Sequence, residues 1–221
     1  MRKILLKTFL VLLFVMKINL NCIAFEVHGY VINNKADTTY GTIKLVQFNQ
    51  VNGSYLIHGF DMESLNYKVS FKGIGKKSFK TFSPGTILGF GFNYKSVDFT
   101  YRRFSLKFHG VFQKERQRFR FLCLVHAGKV ELYQNSILLY NSTNKYMNDP
   151  NTVYYDYYLF NTLNGLVKVC SNKQNKSICD LLRQFNFDEK FIGEIPETYG
   201  FTDIRLVYER YDTWLSLHPC R

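Results

Sequence analysis

The sequence predicts an α+β protein: a predominantly antiparallel β region, sandwich or open barrel-like, followed by two or three short C-terminal helices. Three observations carry this. Aromatic residues make up 17% of the chain, as 21 Phe and 16 Tyr against one Trp, and Phe and Tyr favour strands. Short alternating apolar and polar runs recur from Phe25 to Cys170, separated by Gly, Asn and Pro. From Ser177 onward the apolar residues keep helical spacing instead. Strands first and helices last is the order of α+β folds, not of βαβ units.

Phe25 to Asn33 alternates loosely and forms the first strand, Asn33 to Asp37 a turn, and Thr38 to Phe48 the returning strand of a hairpin. Gln50 to Ser64 is polar, carries Gly53 and Gly59, and reads as a loop. Asn66 to Lys72 puts Tyr67, Val69 and Phe71 on one face and Lys68, Ser70 and Lys72 on the other, the pattern of a half-buried strand. Ser78 to Phe82 pairs back on it. Pro84-Gly85 opens a turn before the strand Thr86 to Phe92. There Gly89 and Gly91 share a side and either leave room for a large neighbour or mark a bulge.

Val97 to His109 is a long strand with a phase change. Phe99 and Tyr101 are odd-numbered, whereas Phe104, Leu106 and Phe108 are even, so the apolar face flips near Arg102-Arg103. A bulge or sharp bend is the usual cause. Arg118 to Val125 turns Phe119, Phe121, Cys123 and Val125 inward. Lys129 to Tyr133 and Ser136 to Tyr140 look like a hairpin about Gln134-Asn135, and Ser142 to Asn151 is a polar loop. Val153 to Thr162 is aromatic on both faces, Tyr155 and Tyr157 on one, Tyr154, Tyr158 and Phe160 on the other, which fits a strand covered on both sides. Leu166 to Cys170 closes the β region.

Ser177 and Asp180 form an S-x-x-D capping box ahead of Ile178, Leu181, Leu182 and Phe185. Asp188 to Ile192 adds a helical turn before Pro196. Thr202 or Asp203 caps a final helix with Ile204, Val207, Tyr208, Tyr211 and Leu215 as its apolar stripe. The expected organisation is a signal segment over 1–24, a β-rich domain over 25–170, and a small helical cap over 171–221 packed on it.

The N-terminus has the layout of a secretory signal peptide: Arg2, Lys3 and Lys7, then the apolar run Thr8 to Met16, then Cys22-Ile23-Ala24 ending in small residues. Lys17, Asn19 and Asn21 interrupt any extension toward the ~20 apolar residues of a membrane span. A lipoprotein acylated at Cys22 would want small residues before that cysteine, and Asn21 fits poorly. Cleavage after Ala24 is expected, with the protein exported to the periplasm, the cell surface or the medium. The chain's net charge is +12, and losing the four basic residues of the signal leaves about +8. Hydrophobic residues at 46% and charged residues at 21% are a globular composition. The basic groups are scattered, with one denser set at Arg102, Arg103, Lys107, Lys114, Arg116, Arg118 and Arg120.

Cys123, Cys170, Cys179 and Cys220 remain after cleavage, and four cysteines in an oxidising compartment permit two disulfides in three pairings. Cys170 and Cys179, across the polar stretch SNKQNKS, are the expected local clamp, and Cys123 reads as a buried thiol. The histidines His28, His58, His109, His126 and His218 keep no metal-ligand spacing, and no phosphate loop or nucleophile elbow is present. No cofactor and no metal are expected. Two groups are the binding candidates. Tyr154, Tyr155, Tyr157 and Tyr158 can stack on a ligand and donate hydroxyls. Arg102, Arg103, Arg118 and Arg120 can line a sheet face against an anionic partner.

Gly29-Tyr30-Val31-Ile32-Asn33 followed by Asp37-Thr38-Thr39-Tyr40-Gly41-Thr42-Ile43-Lys44 resembles the "GYI…GDTIYGKI" hairpin with which exported Bacteroidota proteins of unknown function open. Phe79 to Phe92, with SPGTILGFGF, is similar to their "Y.P.DIKGFGF" segment, and KVELY at 129–133 with Tyr155 to Leu166 to their "KVSLY" and following strand. One departure is Ala36, where the pattern has a turn glycine. The resemblance covers most of the chain beyond the signal segment through short motifs. It implies export and a β-rich domain, and it implies no activity or site residues. The expected role is a non-enzymatic binding or structural module of the cell envelope. Its partners would be an anionic polysaccharide, a lipid surface or another envelope protein; nucleic acid is not expected. The alternatives are a periplasmic or surface hydrolase of glycans or peptides, and a subunit docking to another envelope protein.

Overall fold

A computed structural model describes residues 23–47, 60–109, 115–138, 153–170 and 175–218. The signal segment up to residue 22, His58, Cys220 and the loop expected at 142–151 lie outside the described residues. Ten strands form one sheet: β1 (Ile23–Asn33), β2 (Thr38–Gln47), β3 (Val69–Gly73), β4 (Lys80–Phe82), β5 (Ile87–Tyr94), β6 (Val97–His109), β7 (Glu115–His126), β8 (Glu131–Leu138), β9 (Val153–Asn161) and β10 (Gly165–Lys168). Their order is β10-β9-β8-β7-β6-β5-β1-β2-β3-β4, and every neighbouring pair is antiparallel. A one-turn helix α1 (Met62–Leu65) precedes β3, and α2 (Ile178–Gln184), α3 (Glu189–Gly193) and α4 (Ile204–Leu217) follow β10. This is the antiparallel β plus C-terminal helix architecture the sequence predicts, with an open sheet.

The sheet rolls up at its β4 end. β4 and β5 are four strand spacings apart in the sheet order, about 19 Å if flat. Yet only Ser83 to Thr86 join them, and that turn is closed by the Thr86 N–H on the Ser83 carbonyl at 2.9 Å. The face enclosed by the roll carries Ile43, Leu45, Val69, Phe71, Phe90, Phe92, Phe99, Tyr101 and Phe121. Phe60 fills its centre, with edge-on rings at 5.3 to 5.6 Å from Phe92, Tyr94 and Phe99. Close packing of the roll needs bare backbone at Gly41, where a Cβ would stand 2.2 Å from the Lys72 carbonyl oxygen.

The phase change in β6 is real, and of its two expected causes, a bulge or a sharp bend, the bulge is excluded. β6 pairs without interruption with β5 from Val97 to Arg102 and with β7 from Tyr101 to His109. Phe99 and Tyr101 belong to the rolled core, while Phe104 and Leu106 belong to a second cluster on the opposite face with Leu122, Tyr133 and Tyr158. The sheet changes its direction of curl at β6. The rings of Phe104 in β6 and Phe160 in β9 lie 5.4 Å apart although β7 and β8 run between those strands, and a flat sheet would hold the two strands about 14 Å apart. The irregularity in pairing sits one strand over, in β7 between Leu124 and His126.

Four further expectations are corrected. Glu131–Leu138 is one strand, not a hairpin about Gln134-Asn135, because Gln134 and Asn135 continue the ladder opposite Tyr157 and Asp156. Tyr67 is not on the apolar face of β3; it follows α1, exposed, beneath the Arg120 guanidinium at 4.3 Å. Phe119 is 51% exposed, since β7 runs out beyond β8 there. Cys170 and Cys179 are free thiols: Cys170 turns back on the Lys168 carbonyl, 3.7 Å away, while Cys179 packs from α2 against the helical core.

The helices cover the sheet face that carries Leu132 and Leu159. Ile178, Leu181, Leu182, Phe191, Ile204, Val207 and Trp214 form the rest of that core. The predicted capping box is complete: the Asp180 N–H donates to Ser177 Oγ at 3.2 Å and the Ser177 N–H to Asp180 Oδ2 at 3.0 Å. Those bonds to Ser177 hold the Asp180 carboxyl below its ordinary pKa. Among the described residues no helix is long and apolar enough to cross a membrane.

Candidate functional site

Arg102 stands at the point where the sheet reverses its curl. Its residue number is even, so its side chain shares a face with Phe104 and Leu106, the concave face of β6 to β10. Arg102 Nη1 donates to Glu131 Oε2 at 2.8 Å and to the Tyr133 hydroxyl at 3.0 Å, and Tyr133 in turn donates to Glu131 Oε2 at 2.9 Å. Glu131 and Tyr133 are two apart on β8, and strand alternation puts both on the face of Arg102. Burial pushes the Tyr133 hydroxyl well above its usual pKa, Arg102 opposing that shift, so at neutral pH the phenol is a neutral donor. The triangle holds the guanidinium in place while leaving it half exposed, at 52% of its side chain.

Around it lies a cleft of about 610 Å³. Phe104 and Phe160 line it with a tilted aromatic pair. Lys129, from the turn between β7 and β8, adds positive charge, and Asn161 and Thr162 add polar groups. Glu131 is the sole carboxylate of this lining, and it already takes charge-assisted bonds from Arg102 and Tyr133. Two bonds through Nη1 occupy a minority of the five N–H donors a guanidinium offers. The cleft thus combines an apolar floor with net positive charge, chemistry that receives a ring bearing a carboxylate or sulfate.

The structure brings together only part of the residues singled out in sequence. Arg102 and Arg103 line the cleft; Arg103 is also tied at the sheet edge, donating to Asn34 Oδ1 at 3.0 Å with its guanidinium 5.2 Å from the Phe119 ring. Arg118, exposed, lies opposite Leu106, and Arg120 opposite Phe104 but turned over Tyr67. The tyrosines do not make one platform. Tyr155 and Tyr157 point to the helix-covered side, rings 6.3 Å apart, half-buried, their hydroxyl pKa values raised by burial. Tyr158 is buried on the other side among Leu106, Leu122 and Tyr133. Tyr154 pairs with Ile137 in the ladder, and its side chain lies outside the described set. Phe104, Lys129, Glu131, Tyr133 and Phe160 were missed. The signal for them was the parity of β6, which puts Phe104 on the face of Arg102, and the like parity of Glu131 and Tyr133.

Among the described residues no three His, Cys, Asp or Glu side chains gather as a metal site. His126 pairs with Asp212 of α4 at 3.3 Å, and His218 stacks on Trp214 at 4.4 Å, both as part of the helical packing. No protein-family model, curated protein or solved structure matches the chain.

Proposed function

We propose that this chain is an exported, non-enzymatic binding module of the cell envelope that takes an acidic saccharide in the Arg102 cleft. The observation that carries the reading is the Arg102–Glu131–Tyr133 triangle, a guanidinium fixed beside the Phe104–Phe160 pair. A uronic acid is a flat apolar ring face with a carboxylate at its edge; the aromatic floor suits the first and Arg102 with Lys129 the second. The secretory layout of residues 2–24 supports the compartment. The lining carries a single carboxylate, Glu131, whose Oε2 is held by Arg102 and Tyr133, a poor start for glycoside hydrolysis, which uses two.

The test is calorimetric titration of the protein with tri-galacturonate, for wild type and Arg102→Gln. Binding that weakens about tenfold or more in the variant, and falls with added salt, supports the reading; one lost charge-assisted contact is worth about that much. Absence of binding, or binding indifferent to Arg102, contradicts it.

A further inference from the structure

A second surface lies on the outer face of the rolled half, away from the Arg102 cleft. Four strands, β2, β1, β5 and β6, run side by side there. One row across them is Tyr40, Tyr30, Gly91 and Thr100, each directly opposite the next. The adjacent row includes the opposed pairs Thr42–His28 and Asn93–Asp98. All of these except Gly91, which the Tyr30 ring covers, line a groove of about 670 Å³.

The aromatic part of this groove is built, not incidental. Gly91 has no side chain, and the Tyr30 ring lies across it: a Cβ there would stand 2.5 Å from the Tyr30 hydroxyl oxygen. Tyr30 is thereby laid flat along the sheet. Tyr40 rises beside it with ring centres 6.1 Å apart and planes at 58°, and stays 64% exposed. A large aromatic left this open on a strand, next to a ring pinned flat, is a stacking surface.

We infer that this groove binds a neutral oligosaccharide. A flat ring with a second ring at its side matches the apolar face of a pyranose. The row of Thr42, His28, Asn93 and Asp98 supplies hydroxyl, imidazole, amide and carboxylate groups at the height of sugar hydroxyls. Asp98, held by the Asn93 amide at 2.7 Å, is the one formal carboxylate of the lining and disfavours an anionic sugar, which separates this groove from the Arg102 cleft. Touching tilted rings also leave no box between them for an ammonium group, which sits over ring faces. Four strands side by side span about 14 Å, room for roughly three sugar units.

Saturation-transfer NMR on the full chain tests this with cellotriose, maltotriose and N-acetylchitotriose as probes and choline as the cationic competitor. The expected result is transfer to at least one trisaccharide, weakened about tenfold in Tyr40→Ala, a loss of one stacking contact. Because Tyr40 is exposed, that variant keeps the fold, as far-UV circular dichroism will show. Gly91→Ala, which lifts the Tyr30 ring, weakens the same probe. No transfer to any of the three, transfer that survives Tyr40→Ala, or displacement of the sugar by choline overturns the inference.

Discussion

Ala36 holds a left-handed backbone, φ 67°, at the corner of the β1–β2 hairpin. The turn forces it there: the Asn33 side-chain oxygen accepts from the Lys35 and Asp37 amides, and the Ala36 N–H donates to the Asn33 carbonyl. A residue with a Cβ costs about 1–2 kcal/mol in that region. Ala36→Gly relieves this strain, partly offset by a more flexible unfolded chain, and should raise stability by about 0.5–1 kcal/mol in urea denaturation. The turn was legible in the sequence from Asn33 to Asp37, but the left-handed backbone of Ala36 was not, because it follows from the bonds Asn33 makes across the turn. Cys123 is the second residue with a direct consequence. Burial pushes its thiol up to about 12, against about 8.5 in an unfolded chain. Between those values the unfolded chain has released a proton that the folded chain retains, so stability falls as pH rises across that window. Iodoacetamide under native conditions at pH 8 should leave Cys123 unmodified. Its modification should track global unfolding in peptide mass analysis, while early labelling would show the thiol to be accessible.

Asn66 decides how two strands part. β7 and β8 are paired only from Cys123 onward, and Asn66, at the end of α1, stands where they separate. Its carbonyl accepts from the Phe121 N–H at 3.0 Å and its amide donates to the Ser136 carbonyl at 2.8 Å. Asn66→Ala leaves that buried carbonyl without this donor and should cost about 1–3 kcal/mol, read by urea denaturation; a loss under 0.5 kcal/mol would show the bridge to be incidental. Asn66 was unreadable in sequence, where α1 looked like the tail of a loop, because four helical residues carry no periodicity and the bond to Ser136 spans 70 positions. By contrast β6, β9 and the Ser177 cap were legible because their alternation or capping pattern is local. Past Arg103, β6 and β7 pair only with each other among the described residues, and this two-stranded arm carries Lys107 and Arg118, charges of the kind that discourage edge-to-edge association.

At the scale of the molecule, one sheet curls in two senses. Its first half wraps an aromatic core, and its second half offers one face to three helices and the other to a concave cluster. The reversal at β6 turns an odd-to-even shift of apolar residues into a cleft with Arg102 at its lip. The shift itself was plain in the sequence. Its meaning was not, because the same shift arises from a bulge, and only the pairing of β6 with both neighbours separates the two causes. The tyrosine cluster was equally visible and divides between two faces, since neighbours along a strand cannot share one. Hydrogen–deuterium exchange with and without tri-galacturonate tests the central claim most directly. The account predicts slowed exchange in peptides covering Arg102 to Phe104, Lys129 to Tyr133 and Phe160 to Thr162, and no change around Tyr30 and Tyr40. Unchanged exchange in the first three segments, or protection confined to the Tyr30–Tyr40 groove, would contradict it.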